Sequence, residues 1–238
     1  MAAEAVACRK CVVKISGKIV SPESVELVRG YINVLKSLRQ MGLSLAVVVG
    51  GGMVSRSYIS ALNQLGANKG LQDLIGIEAS RLNARLLAYA LYPEAYPEPP
   101  RSLWELLEVY STGKLVITGG FQPGQSTSTV AALVAEAIGA EMLVLATTVD
   151  GVYTADPRAD PSARMIKRLS YDELLSYVSS GREPGSYELL DPYAVEILKR
   201  SGIPSRVVNG LNPENVLRAV RGEDVGTLIT PFPAHGRS

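Results

Sequence analysis

Histidine is almost absent from this chain: of 238 residues only His235 is one, three residues from the C-terminus. A histidine general base, a His-based triad or a histidine metal site therefore has no material in the body of the protein, which disfavours hydrolase and metalloenzyme chemistry. Phosphoryl transfer needs no such base, because positioning and charge stabilisation carry most of its catalysis. Cysteine is nearly as scarce. Cys8 and Cys11 form one CxxC, too few for a zinc site, and a strand pattern rather than a thioredoxin-type helix follows them. The pair reads as two small residues leading into the first strand, with a redox pair or an inter-subunit metal clip as the alternative. No apolar run reaches the roughly 18–20 residues of a membrane span, and Met1–Lys10 has no apolar core suited to a secretory signal. A formal net charge of +1 gives no global field to gather nucleic acid or lipid headgroups. The cytoplasm is the expected compartment, with neither nucleic acid nor membrane as partner.

What is present is an ordinary globular composition, 47% hydrophobic and 20% charged, arranged in a regular alternation. Short β-branched runs (Cys11–Ile15, Leu45–Val49, Leu115–Thr118, Met142–Ala146) alternate with helical spacing over Pro22–Met41, Val54–Leu65, Leu71–Leu91, Ser102–Tyr110 and Ser128–Ile138. Beyond Asp150 a loop precedes helices near Tyr171–Val178, Pro192–Arg200 and Pro213–Val220, with strands at Arg206–Val208 and Thr227–Ile229. This order predicts an α/β fold, an open and mainly parallel sheet with helices on both faces in a three-layer sandwich, its two lobes meeting near residues 140–150.

In such sheets ligands bind outside the carboxyl ends of the strands. Four strand ends here carry small or polar residues. In Gly50-Gly51-Gly52 the missing Cβ atoms let backbone N–H groups approach an anion, and a helix amino end follows. Arg56, in that helix's first turns, is within reach of the same anion. The plain alternative is a tight strand-to-helix turn, and no Walker A loop or post-strand GxGxxG occurs. The stretch Phe121–Thr127 is rich in glycine, proline, hydroxyls and amides. Ser126, Thr127 and Thr129 exceed what capping alone requires, which favours ligand contact. Asp150, Tyr153 and Asp156 follow another strand: Asp156 suits ribose hydroxyls, Tyr153 a base, and Asp150 the ordering of active-site cations. Lys14 and Lys18 bracket the turn at Ser16-Gly17, and alternation puts Lys14 and Ser16 on one face. A lysine ammonium suits the charge that develops on transferring phosphate oxygens.

Taken together, VVKISGK, AVVVGGGMVSR, DLIGIEASRLNARLL, GGFQPGQSTSTVAALVAE and TTVDGVYTADPRADPSA resemble the amino acid kinase family, and within it the archaeal uridylate kinases. The resemblance runs in order from Cys11 to Pro231. It implies transfer of the γ-phosphoryl group of ATP to UMP, in pyrimidine nucleotide biosynthesis, with Mg2+ accompanying ATP. It also implies a homohexamer built as a trimer of dimers, with roughly residues 11–140 as acceptor and dimerisation lobe and 141–231 as ATP lobe. By this resemblance Gly17 and Lys18 contact ATP phosphates, Gly52 and Arg56 border the phosphates between the substrates, and Thr147, Tyr153 and Asp156 take the adenine and ribose. Gly51 and Asp73 hold UMP, as do Phe121, Gln122, Pro123, Gly124, Gln125, Ser126 and Thr127. The catalytic set is Lys14, then Lys18, with Asp150; no metal ligands are assigned. Thr148 stands where asparagine or lysine is expected and Gln125 where histidine is frequent. Alternatives are sister kinases for carbamate, acetylglutamate or isopentenyl phosphate, the last disfavoured by the lack of an active-site histidine. A non-catalytic nucleotide-binding protein of the same fold is a third reading.

Overall fold

The computed structural model describes residues 8–155, 157, 160–179 and 190–231. In chain order the elements are β1 (Lys10–Ile15), α1 (Val25–Gln40), β2 (Ser44–Val49), α2 (Gly52–Gln64), α3 (Lys69–Ala90) and α4 (Leu103–Ser111). There follow β3 (Val116–Thr118), α5 (Thr127–Ile138), β4 (Met142–Thr147), β5 (Val152–Tyr153), β6 (Met165–Ile166) and β7 (Arg168–Ser170). The chain ends with α6 (Tyr171–Ser179), α7 (Pro192–Arg200), β8 (Ser205–Asn209), α8 (Glu214–Val220) and β9 (Thr227–Thr230).

Seven strands form one sheet in the order β3-β2-β1-β4-β8-β9-β7, parallel throughout except where β9 pairs antiparallel with β8. The valine runs of β1 and β2 are buried on both faces, as parallel strands between two helical layers must be. Alternation divides them. Val13, Ile15, Val47 and Val49 face a core with Tyr31 and Leu35 of α1, Leu87 of α3 and Val216 of α8. Val12, Ala46 and Val48 face a second core with Leu106 of α4, Val130 and Val134 of α5, and Val195 and Leu198 of α7. The fold is therefore the expected three-layer α/β/α sandwich. Lys14 shares the parity of Val12, so it projects on the α5 side. β4, at the expected boundary of the two lobes, lies near the middle of this continuous sheet. From β1 the chain crosses to β2 and β3 on one side, whereas β4 and β8 lie on the other. That reversal puts the topological switch point at β1, beside whose carboxyl end a crevice opens toward β2.

Two details depart from expectation. A small antiparallel ribbon, β5 with β6, and the edge strand β7 occupy a stretch read as loop. Strands of two or three residues are too short for a period of two to register in sequence. Cys8 and Cys11, read as plain small residues, are instead joined in a disulfide and buried in the first core.

Candidate active site

The crevice is lined by the turns after β1 and β2, the starts of α2 and α5, and the residue that precedes α7. At the end of β1 the chain turns through Ser16 and Gly17, whose ladder continues as the Ser16 N–H donates to the Ala146 carbonyl, 2.9 Å away. The turn after β2 lies against it so closely that a Cβ on Gly17 would collide with the backbone of Gly50 and Gly52. Gly52 itself has φ of 62° and would strike the Gly17 carbonyl. Glycine is thus required at both places for backbone-on-backbone packing, which accounts for part of the GGG motif without any ligand.

α3 supplies the rigid backing. Asn83, 3% exposed, donates through Nδ2 to the carbonyls of Gly50 (2.9 Å) and Gly51 (3.3 Å). A planar peptide sets each N–H opposite its carbonyl, so the Gly51 and Gly52 amides face away from Asn83. They stand at the amino end of α2, where the helix dipole adds partial positive charge. Ser80 accepts from the Gly120 N–H at 2.8 Å, and Arg81 donates to the carbonyls of Gly120 (3.1 Å) and Phe121 (3.2 Å). One buried helix face therefore positions both glycine turns. Their core spacing on α3 is the one trace in the sequence, and no role was read from it.

The resulting crevice encloses about 290 Å³. Its walls bring together Lys14, Gly17, Lys18, Gly51, Gly52 and Arg56 with Ser126 and Thr127, as the sequence led one to expect. Lys14 is 8% exposed, so its charge acts where water screens it poorly. Ser55, Ser128 and Asp191 line it as well. Ser126 caps α5, accepting the N–H groups of Ser128 and Thr129 at 3.0 Å each. A second cavity of about 160 Å³ opens beside the first and shares Gly51, Ser55 and Thr127 with it. Asp73, Ile77, Gly120 and Gln125 are among its other lining residues. Asp73 accepts the Gly124 N–H at 2.9 Å, tying α3 to the loop before α5. The Gln125 Oε1 is buried there with no hydrogen-bond partner among the described residues. Phe121 packs mainly on the second core, and Gln122 and Pro123 are exposed on the outer side of the loop.

Asp150, Thr147 and Tyr153 are not among the residues lining either cavity. Asp150 accepts from the Tyr153 hydroxyl (3.1 Å) and from Asn209 Nδ2 (2.9 Å), at the carboxyl ends of β4 and β8. Burial, and then the adjacent Asp150 carboxylate, raise the Tyr153 phenol above its ordinary pKa. The Thr147 carbonyl accepts the Gly210 N–H at 2.7 Å. Asp156 lies outside the described residues.

Asp191 is the functional candidate that reading the sequence missed. Asp-Pro before a helix announces an N-cap, and it is one: Oδ1 accepts the Ala194 N–H at 3.1 Å. The same carboxylate also accepts from the Thr129 hydroxyl (2.8 and 2.9 Å) and from the Ser126 hydroxyl. Contacts across 62 and 65 residues leave no local trace.

Residues 9–209 match the model of the amino acid kinase family. The chain belongs to this family. Among its members, the uridylate kinase of Hyperthermus butylicus is 65% identical over 219 residues, 92% of this chain and 97% of that protein. The uridylate kinase of Sulfurisphaera tokodaii is 45% identical over 225 residues, 94% of this chain and all of that one. The crystal structure of the uridylate kinase of Archaeoglobus fulgidus superposes with a TM-score of 0.84 at 41% identity, covering 93% of this chain and 100% of its own. The UMP kinase of Bacillus anthracis, 22% identical with a TM-score of 0.78, shares the fold.

Proposed function

We propose that this amino acid kinase family member transfers the γ-phosphoryl group of ATP to UMP, giving ADP and UDP, as a step in building pyrimidine nucleotides. The observation that carries the reading is the pair of cavities with a common wall. One is lined by lysines, arginine and helix amino ends, as polyphosphate requires; the other is a smaller chamber with one carboxylate, Asp73, and amide and hydroxyl groups, as a nucleoside requires. The names of relatives covering nearly the whole chain supply the acceptor.

The chemistry follows from the groups present. A phosphate oxygen of UMP attacks the γ-phosphorus; the new O–P bond forms as the bond to the β,γ-bridging oxygen breaks, and ADP leaves with that electron pair. The attacking oxygen already bears charge, since a phosphomonoester loses its second proton near pH 6, so no general base is needed. Lys14 and Lys18 offset charge on the transferring group, and the amino ends of α2 and α5 hold phosphate oxygens through backbone N–H groups. Mg2+ enters as part of MgATP. Among the described residues no group of three or more His, Cys, Asp or Glu could cage a metal, whereas the phosphates themselves bring ligands for it. Thr147 and Tyr153 serve the nucleoside end of ATP, and Asp150 orders the active-site cations. The cytoplasm, where MgATP and UMP meet, is the proposed compartment; among the described residues no helix is long and apolar enough to cross a membrane.

The active form is proposed to be a homohexamer, a trimer of dimers. Leu71, Leu74, Leu82, Leu86 and Tyr89 are exposed along one stripe of α3, a face that a second copy would cover. Sedimentation of the purified protein tests this: a monomer at working concentration would rule it out.

The central test is ADP release with MgATP and, in turn, UMP, CMP, AMP, GMP, carbamate, acetylglutamate and isopentenyl phosphate. Strong preference for UMP is expected. Turnover confined to another acceptor would overturn the assignment of Asp73 and the Phe121–Thr127 loop, and no turnover with any would favour a binding protein.

A further inference from the structure

We propose that Asp191 is a positioning residue for the acceptor, holding the amino end of α5 in the geometry that receives UMP. This rests on the reading of Ser126 and Thr127 as acceptor contacts. Of the described residues lining the lysine crevice, Asp191 is the one carboxylate. A lone anion beside a site for polyphosphate opposes substrate binding unless its charge is committed elsewhere. The hydrogen bonds show where it is committed.

The Ser126 Oγ accepts two backbone N–H groups of α5, which occupies its lone pairs and leaves its single proton to donate. Asp191 accepts that hydrogen bond, and it accepts another from the Thr129 hydroxyl, whose oxygen lies 2.8 and 2.9 Å from the two carboxylate oxygens. With the Ala194 N–H the carboxylate thus joins the amino ends of α5 and α7, two partial positive charges that a full negative charge suits. Capping α7 alone would require a single acceptor, which asparagine supplies as well as aspartate. The second oxygen and the negative charge are in surplus for that task. They determine which way the Ser126 hydroxyl points and how α5 presents its first amides to the acceptor phosphate. Asp191 thereby links the acceptor loop to a helix in the far half of the chain.

Asp191→Asn separates the two roles. The amide retains an acceptor for the α7 cap, so the protein still folds, with a melting temperature lowered by about 3–10 °C by the lost bonds to α5. Its NH2 group, however, meets a Ser126 oxygen that already accepts twice, and the linkage fails. Losing a hydrogen bond to a charged group predicts a rise of about ten-fold or more in KM for UMP, and in calorimetric Kd for UMP without turnover. KM for ATP, which is held also by the turn at Gly17 and Lys18 on the other side of the crevice, rises less than that for UMP. Ser126→Ala, which leaves the Asp191 cap of α7 intact, should give a similar loss. Because both changes break one linkage, the double variant should be no worse than the poorer single. The proposal is overturned if Asp191→Asn leaves UMP affinity unchanged, if it raises both substrate constants equally, or if the two changes add fully. A wild-type protein that does not turn over UMP would instead defeat the underlying reading.

Discussion

Two cavities lie at opposite ends of the same sheet, and the larger one is not the site. The crevice over the carboxyl ends of β1 and β2 holds about 290 Å³. The one at the amino ends of β2 and β3, lined by Leu35, Lys36, Arg39, Leu91, Gly113 and Lys114, holds about 430 Å³. Both contain lysine and arginine. What differs is the end of the helices that each receives. The crevice meets the amino ends of α2, α5 and α7, whose N–H groups favour anions. The other cavity meets the carboxyl ends of α1 and α3, so its cations serve carbonyls and a carboxylate. Arg39 donates to the Leu43 carbonyl (2.8 Å) and the Gly113 carbonyl (2.6 Å), and Lys36 pairs with Glu94 at 3.7 Å. In a parallel sheet the helices alternate direction with the strands, so this polarity is built into the topology. Volume and charge count do not distinguish the two ends; helix direction does.

The sharpest way to break that comparison is to remove one lysine from each end. Lys14→Ala should reduce turnover by about 100- to 1000-fold, the usual loss when a charge-stabilising group in a dry site is deleted. ATP and UMP should still bind, as calorimetry would show. Lys36→Ala should leave kcat within two-fold and stability within about 0.5 kcal/mol, as expected of an exposed pair. Equal losses from both would mean that polarity does not select the site. Gly52→Ala attacks the crevice through its backbone. It forces a Cβ at φ of 62° against the Gly17 carbonyl, at a cost of about 2–3 kcal/mol. For a chain of this size the melting temperature should drop by about 5–10 °C. An unchanged melting curve would show that the loops after β1 and β2 do not pack as described.

Much of this was legible beforehand, and for a physical reason. The central strands β1, β2 and β4 are short and mostly apolar, α1 carries one buried face, and several caps are coded within four residues. Ser102 accepts the Glu105 N–H at 3.1 Å, and Glu105 reaches back to the Arg101 N–H at 2.7 Å. Glycine-rich strand ends marked the crevice for the same reason: the signal is local. What escaped notice was assembled across distance. Asn83, Ser80 and Arg81 read as one helix's ordinary polar residues until α3 docks against the glycine turns. Asp191 reads as a cap until α7 meets α5. The Asn209 amide, which donates to Asp150 across 59 residues beside the Tyr153 hydroxyl, left no local trace either.

Smaller effects test the two cavities within the crevice and the two ends of one helix pair. Asp73→Asn keeps an oxygen for the Gly124 N–H but removes the carboxylate from the nucleoside chamber. KM for UMP should rise by about ten-fold, with kcat changed much less; a fall in kcat alone would move Asp73 out of acceptor binding. The mildest change lies at the far end of α5 and α7, opposite Asp191. There Arg200 donates to Glu136 through Nε at 2.8 Å and also through Nη2, and Ser201 donates to the same carboxylate at 2.6 Å. The Arg200 bond foremost holds the Glu136 carboxyl below its ordinary pKa. A carboxyl depressed in the folded state stabilises above its unfolded value, about 4.3, and loses that contribution as pH falls through the lower folded value. Both groups face solvent, so Glu136→Gln should lower the melting temperature by only about 1–2 °C at pH 7. At pH 3 the difference from the parent should shrink, and UMP turnover at pH 7 should be unaltered. If Glu136→Gln instead weakened UMP binding as Asp191→Asn does, the packing of α5 on α7 as a whole, and not the carboxylate at its crevice end, would be what positions the acceptor.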